Sequence, residues 1–177
     1  MNTNLLLQNL RNIPDFPKPG IQFKDVSTLF KNPECNREML EELVRVYRDK
    51  GITKVVGIES RGFVMGAMLA AALGAGFVLC RKPGKLPGTT LKASYAKEYG
   101  LDSIEIHTDA ITADDVVLIH DDLLATGGTM DAACKLVKKF HPKKIYCNFI
   151  IELETEFPNA RKVFEDQGIE VTSLLKF

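Results

Sequence analysis

Residues 116–129 limit what this chain can fold into more than any other stretch. Val116, Val117, Leu118 and Ile119 form an unbroken apolar run with three β-branched members, which suits a buried strand. Asp121 and Asp122 follow where such a strand would end, and Ala125, Thr126, Gly127, Gly128 and Thr129 make a loop of small residues. Met130, Ala133, Val137 and Phe140 then recur at helical spacing. A strand, a glycine-rich turn and a helix start in that order build an anion site. The free N–H groups of the first helical turn point outward, and the helix dipole favours negative charge there. Gly127 and Gly128 let the backbone approach a phosphate closely, and the hydroxyls of Thr126 and Thr129 add donors.

The details exclude two commoner phosphate loops. No Gly-Lys-Ser/Thr ending is present, as a nucleoside-triphosphate loop requires, and no G-x-G-x-x-G, as a dinucleotide fingerprint requires. The acidic pair is the distinguishing part. Ionised carboxylates only accept and vicinal sugar hydroxyls donate, so two acids beside a phosphate nest suit a ribose 5-phosphate. The competing interpretation is a surface turn with a threonine cap and two solvated acids. The ordered set resembles the phosphoribosyl-diphosphate (PRPP) motif of type I phosphoribosyltransferases, and the resemblance covers nearly the whole chain. His120 departs from it by standing where an aliphatic residue is usual, and a strand histidine there is given a structural role.

At 177 residues the chain is expected to be one domain with a sizeable core. Its 23 basic residues balance 23 acidic ones, which argues against nucleic acid as a partner. The first ten residues carry no positive region and only a three-residue apolar run, so neither a signal peptide nor a membrane span is expected. Cys35, Cys80, Cys134 and Cys147 are scattered, which suggests reduced thiols in cytoplasm. The three histidines are isolated and offer no metal-ligand spacing.

Leu5, Leu6 and Leu10 predict a short amphipathic helix, residues 14–20 a proline-rich loop, and the alternation at 21–25 a short exposed strand. Asn36 is positioned to cap a helix reaching about Lys50, with Met39, Leu40, Leu43, Val44 and Tyr47 inward and Gly51 as its stop. A buried strand over 52–58 ends in Glu59, Ser60, Arg61 and Gly62, and the helix after it, 63–73, is so apolar that burial is expected. The strand at 77–80 opens into Arg81, Lys82 and Lys85 among glycines and prolines, a composition that cannot pack in a core. Residues 89–99 and 103–107 read as a hairpin-like excursion. Strands at 145–151 and 169–175 flank a helix carrying Phe164. This order predicts an α/β fold with a mainly parallel, doubly wound sheet and helices on both faces. The strand ends near Glu59, Arg81 and Asp121 should converge on one rim, where open α/β sheets bind ligands.

Segments 21–25 and 93–100 narrow the resemblance to the adenine-specific branch of the family. It implies a single phosphoribosyltransferase domain over 1–177, with an N-terminal hood segment at 1–35 and a mobile catalytic loop and hairpin at 82–107. It implies that the loop of Glu59, Ser60 and Arg61, often with a cis peptide between its first two residues, holds diphosphate together with Lys82 and Lys85. Asp121 and Asp122 would hold the ribose hydroxyls, and Ala125, Thr126, Gly127, Gly128 and Thr129 the 5-phosphate. Tyr99 would contact PRPP, and Glu98 would lie near purine N9, acting in catalysis with Arg61, Lys82 and Lys85. Gln22, Phe23 and Lys24 would bind the base, with Phe23 stacked on it. Lys24 stands where arginine is usual, which keeps charge but loses planar stacking. Two local readings stay open: Phe23 as simple core packing, and Arg61 as the partner of a surface acid.

The implied reaction joins adenine to PRPP, giving AMP and diphosphate. Mg²⁺ would be carried through PRPP, with no direct protein ligand. The resemblance also implies a homodimer, with basic residues reaching the partner's site; the cytoplasmic setting and the expectation of no nucleic-acid or membrane partner rest on the cysteines, the charge balance and the first ten residues. A 6-oxopurine phosphoribosyltransferase and a non-catalytic PRPP-binding regulator are the alternatives.

Overall fold

The computed structural model describes residues 1–96 and 100–177. The chain divides into two compact units, Met1–Val46 and Tyr47–Phe177, where the sequence suggested a single domain with a hood segment ending at 35. Among the described residues no helix is long and apolar enough to cross a membrane.

In the first unit, α1 (Thr3–Asn9) is capped by Asn2, whose side chain accepts from the N–H of Leu5 at 3.1 Å. Strands β1 (Arg11–Pro14) and β2 (Gln22–Asp25) pair antiparallel, with Arg11 opposite Asp25 and Pro14 opposite Gln22. The sequence reading anticipated β2 but not β1. Pro14 is tolerated at the end of β1 because no ladder N–H is needed there. After the short α2 (Ser27–Phe30), α3 (Pro33–Tyr47) begins three residues before the expected cap. Asn32 is the cap: its Oδ1 accepts from the N–H groups of Glu34 at 2.9 Å and Cys35 at 3.4 Å. Pro33 then occupies the first helical position, where a missing N–H costs nothing. Asn36 instead donates to the carbonyl of Phe30 at 2.5 Å. Met39, Leu43 and Tyr47 are fully buried, as their spacing suggested, whereas Leu40 and Val44 are half-buried.

The second unit runs β3 (Lys54–Ile58), α4 (Gly62–Leu73), β4 (Gly76–Cys80), β5 (Thr90–Ala96), β6 (Leu101–His107), β7 (Val116–Leu124), α5 (Gly128–Lys138), β8 (Lys144–Glu152), α6 (Lys162–Glu165) and β9 (Glu170–Lys176). Five strands form a parallel sheet in the order β4-β3-β7-β8-β9, and β5 and β6 form a separate antiparallel hairpin. Val56, Ile58, Val117, Ile119, Cys147 and Phe149 pack with Met130, Ala133 and Val137 of α5 and Phe164 of α6 to make the core. The chain travels one way along the sheet from β3 to β4 and the other way from β7 to β8 and β9. Right-handed crossovers in opposite directions put α4 and α5 on opposite faces. The reversal falls between β3 and β7, and that is the switch point where such sheets open a crevice. Pairing of β3 with β7 stops at Gly57 and His120, while β7 follows β8 as far as Leu124 and Glu152. The last residues of β7 therefore lose their neighbour on the β3 side, and a cleft opens there.

Helix α4 departs from expectation. Met65, Gly66, Leu69 and Ala70 are buried on the sheet, but Val64 is 41% exposed and Ala67, Ala71 and Ala72 also face outward. Strands β3, β4 and β7 cover one side of the helix only, so an all-round apolar sequence does not become an all-round buried helix.

Candidate active site

The chain after β3 closes on the middle of β7, at His120 and Asp121, because Gly62 has no side chain. A Cβ there would lie 2.7 Å from the main-chain oxygen of His120 and 3.2 Å from Asp121 Oδ1. This approach sets Glu59, Ser60 and Arg61 against the acidic pair. The Glu59–Ser60 peptide is cis. Arg61 Nε donates to Asp122 Oδ2, a buried acid that is 6% exposed.

The two carboxylates do not follow the strand, as the sequence suggested, but lie inside it, since β7 continues to Leu124. Burial first, then the neighbouring Asp122 charge, pushes the Asp121 carboxyl well above the usual range.

Glu59 is bound to the chain that leaves β4. Its Oε1 accepts from Arg81 Nη2 at 3.0 Å and its Oε2 from the N–H of Lys82 at 2.8 Å. The Arg81 hydrogen bond, working against partial desolvation, lowers the Glu59 pKa. Arg81 also donates to the carbonyl of Lys85 at 3.1 Å, so it ties the end of β4 both to the β3 loop and to the 82–85 turn. Sequence reasoning did not make Arg81 a site residue. The signal is register: Ile58 pairs with Cys80, so positions 59 and 81 leave neighbouring parallel strands side by side.

Lys82 Nζ is held by Asp102 and, at 3.2 Å, by the hydroxyl of Tyr95. Lys85 is exposed and is not among the residues lining the cleft. Ile58 and Ile104 floor a cleft of about 270 Å³, walled by Glu59, Ser60, Arg61, Lys82, Tyr95, Asp121, Asp122 and Thr129. Tyr95 and Ile104 were not anticipated.

A second, smaller hollow of about 90 Å³ shares Asp121 and Thr129 with the first and is lined by Ala125, Thr126, Gly127 and Gly128. Gly127 takes φ +82°, a left-handed conformation, and a Cβ there would sit 3.3 Å from the Phe164 ring. Helix α5 starts without a side-chain cap, leaving its first N–H groups for a ligand. The hollow is of phosphate size, and its donors are those read from the sequence.

His120 is fully buried, with Nδ1 2.7 Å from Asn148 Oδ1. Asn148 Nδ2 donates to Thr172 Oγ1 at 2.9 Å, and that hydroxyl meets the Tyr47 hydroxyl at 2.5 Å. Burial lowers the His120 pKa to about 4, so the ring is neutral and packed.

In the first unit, Phe23 is half-buried with Phe16 edge-on at 5.1 Å. The Thr28 hydroxyl accepts from Arg11 N–H at 3.1 Å and donates to the Asp25 carbonyl at 3.1 Å, bridging main-chain groups that face each other. Alternation along an antiparallel pair then turns the main-chain groups of Lys24 and Gln22 to the edge away from β1. Pro14, opposite Gln22, has no N–H to claim the Gln22 carbonyl. Glu98 and Tyr99 lie outside the described residues.

A strand-switch crevice that joins a phosphate-sized hollow to an acidic pair and the cations Arg61 and Lys82 is the architecture of a phosphoribosyl transferase, and the chain belongs to that family: the model of the phosphoribosyl transferase domain matches residues 25–171. Its similar proteins are adenine phosphoribosyltransferases. That of Phocaeicola vulgatus is 62% identical over 99% of each chain. The crystal structure of the Rhodothermus marinus enzyme superimposes with a TM-score of 0.90 at 48% identity, covering 98% of this chain and 97% of that one. The Saccharomyces cerevisiae enzyme, complexed with an imino-altritol bisphosphate and adenine, gives 0.88 at 40% identity over 97% of each.

Proposed function

We propose that this protein transfers the 5-phosphoribosyl group of PRPP to N9 of adenine, forming AMP and releasing diphosphate. The observation that carries this reading is the continuity of the phosphate-sized hollow with the charged cleft through Asp121 and Thr129. The 5-phosphate sits on the α5 N-terminus, Asp121 and Asp122 take the ribose hydroxyls, and Arg61, Lys82 and Lys85 take the diphosphate. As the bond from the anomeric carbon to diphosphate breaks, positive charge grows on the ribose beside two carboxylates and negative charge grows on the leaving group beside three cations. Glu98 and Tyr99 keep the roles that the family resemblance gives them, at N9 and on PRPP.

A magnesium ion suits this donor set. Among the described residues no group of three or more histidine, cysteine or acidic side chains forms a metal cage. Mg²⁺ characteristically keeps water and substrate oxygens and needs few protein ligands. Held through PRPP, the ion would supply charge neutralisation at the diphosphate, while Asp121 and Asp122 hold the ribose hydroxyls. Four unpaired thiols support a cytoplasmic setting.

Release of diphosphate from PRPP should depend on added adenine. Release with hypoxanthine alone would favour the 6-oxopurine reading, and binding without turnover the regulator. The outward face of α4 supports a homodimer: Val64, Ala67, Ala71 and Ala72 make a helical stripe, with Leu79 of edge strand β4 39% exposed. Sedimentation should show a dimer, and Val64→Glu should shift it to monomer. A wild-type monomer would end this assignment.

A further inference from the structure

We infer that Asp102 is a built-in competitor for diphosphate: in the ligand-free chain its carboxylate occupies the Lys82 ammonium, and diphosphate binds by displacing it. This rests on the proposed role of Lys82 and adds a residue that sets its affinity. The main chain of Lys82 is pinned, its N–H donating to Glu59 at 2.8 Å, so only the side chain is able to exchange partners. At its tip, Lys82 Nζ meets Asp102 Oδ2 and lies 3.2 Å from Tyr95 Oη, which itself donates to Asp102 Oδ2 at 3.1 Å. Tyr95 and Asp102 are directly opposite in the β5–β6 register, so their side chains leave the same face of the hairpin as a two-residue clasp. Lys82 and Tyr95 both line the cleft, so the clasp closes on a cation inside the site.

The balance of energies makes the clasp exchangeable. The Lys82 side chain is 38% exposed and that of Asp102 21%, which places the pair among partly solvated ion pairs of modest strength. Diphosphate brings several negative charges to the same ammonium, with Arg61 close by in the cleft, and one carboxylate cannot match it. Asp102 is therefore a positioning residue with a cost attached: it keeps the lysine extended and charged, and each binding event must break its ion pair.

The test is a calorimetric titration of inorganic diphosphate into the ligand-free full-length protein. Asp102→Asn, which keeps the shape and removes the charge, should tighten diphosphate binding about two- to five-fold. Asp102→Ala, the safeguard against a misfolded first variant, should act in the same direction. Lys82→Met should weaken binding, and adding Asp102→Asn to it should restore nothing. A structural role alone would lower the melting temperature and loosen binding. Unchanged or weaker binding in both Asp102 variants, with Lys82→Met still weakening it, overturns the competitor and leaves the diphosphate role of Lys82 intact. Unchanged binding in Lys82→Met overturns that role, and the competitor with it.

Discussion

Replacing Asp121 and Asp122 together by asparagine should lower kcat/KM for PRPP by about 10³-fold, an order set by what loss of one preorganised electrostatic partner costs. The two amides keep the shape of the carboxylates but lose the charge that offsets the cationic ribose. The fold should survive. Arg61, which donates to Asp122, is 48% exposed, so solvent reaches its guanidinium when the Asp122 charge is removed. Asp121 already resists ionisation through burial and the Asp122 charge, and removing both charges relieves that conflict. A thermal melt within a few degrees of wild type, with activity lost, is the expected pair of measurements. Unchanged kcat/KM in the folded double variant would end the ribose assignment.

Adenine should be preferred over hypoxanthine by about 10⁴ in kcat/KM, the discrimination reached when buried donors and acceptors meet a mismatched analogue. Adenine has a donor at N6 and an acceptor at N1, and hypoxanthine reverses both. In the proposed base site, the outward main-chain groups of Gln22 and Lys24 would give a carbonyl to N6 and an N–H to N1. Gln22→Pro removes one N–H and keeps the carbonyl. The fold of the first unit should accept it, because that N–H is turned away from β1 and Pro14 stands opposite. Proline also removes the Gln22 side chain, whose Oε1 accepts from Asn12 Nδ2 at 2.5 Å, so the selectivity ratio reports on that N–H when Gln22→Pro is compared with Gln22→Ala. An unaltered ratio in the folded variant transfers the assignment to the N–H of Lys24, tested the same way. Comparable use of hypoxanthine by the wild type would remove adenine as the substrate.

Much of the site could be read before any coordinates, because its parts are local. A β-branched run, two acids and two glycines occupy fourteen consecutive residues, a helical period follows directly, and each takes the conformation its own neighbours dictate. The same holds for the alternation of β2 and for the loop after β3. Position in the cleft is a different matter. The acids lie within β7 because β8 keeps pairing with it beyond the point where β3 stops, and the chain near 121 carries no trace of where a distant neighbour ends. Asn32 caps α3 in place of Asn36 because a proline follows it, and here the local signal was present but went to the wrong asparagine.

The contacts that organise the charges were hidden for a physical reason. Glu59 meets Arg81 through the parallel register of β3 and β4, and Lys82 meets Asp102 through the hairpin that brings residues twenty apart together. Register and crossover direction set such pairs, and a one-residue slip would have produced different ones. The apolar character of α4 was legible, but whether its second side is covered is a property of the strands packed around it. Local stereochemistry writes the small hollow into residues 125–129. The partners that each acid and cation find across the cleft exist only once the sheet has closed its order around the gap between β3 and β7.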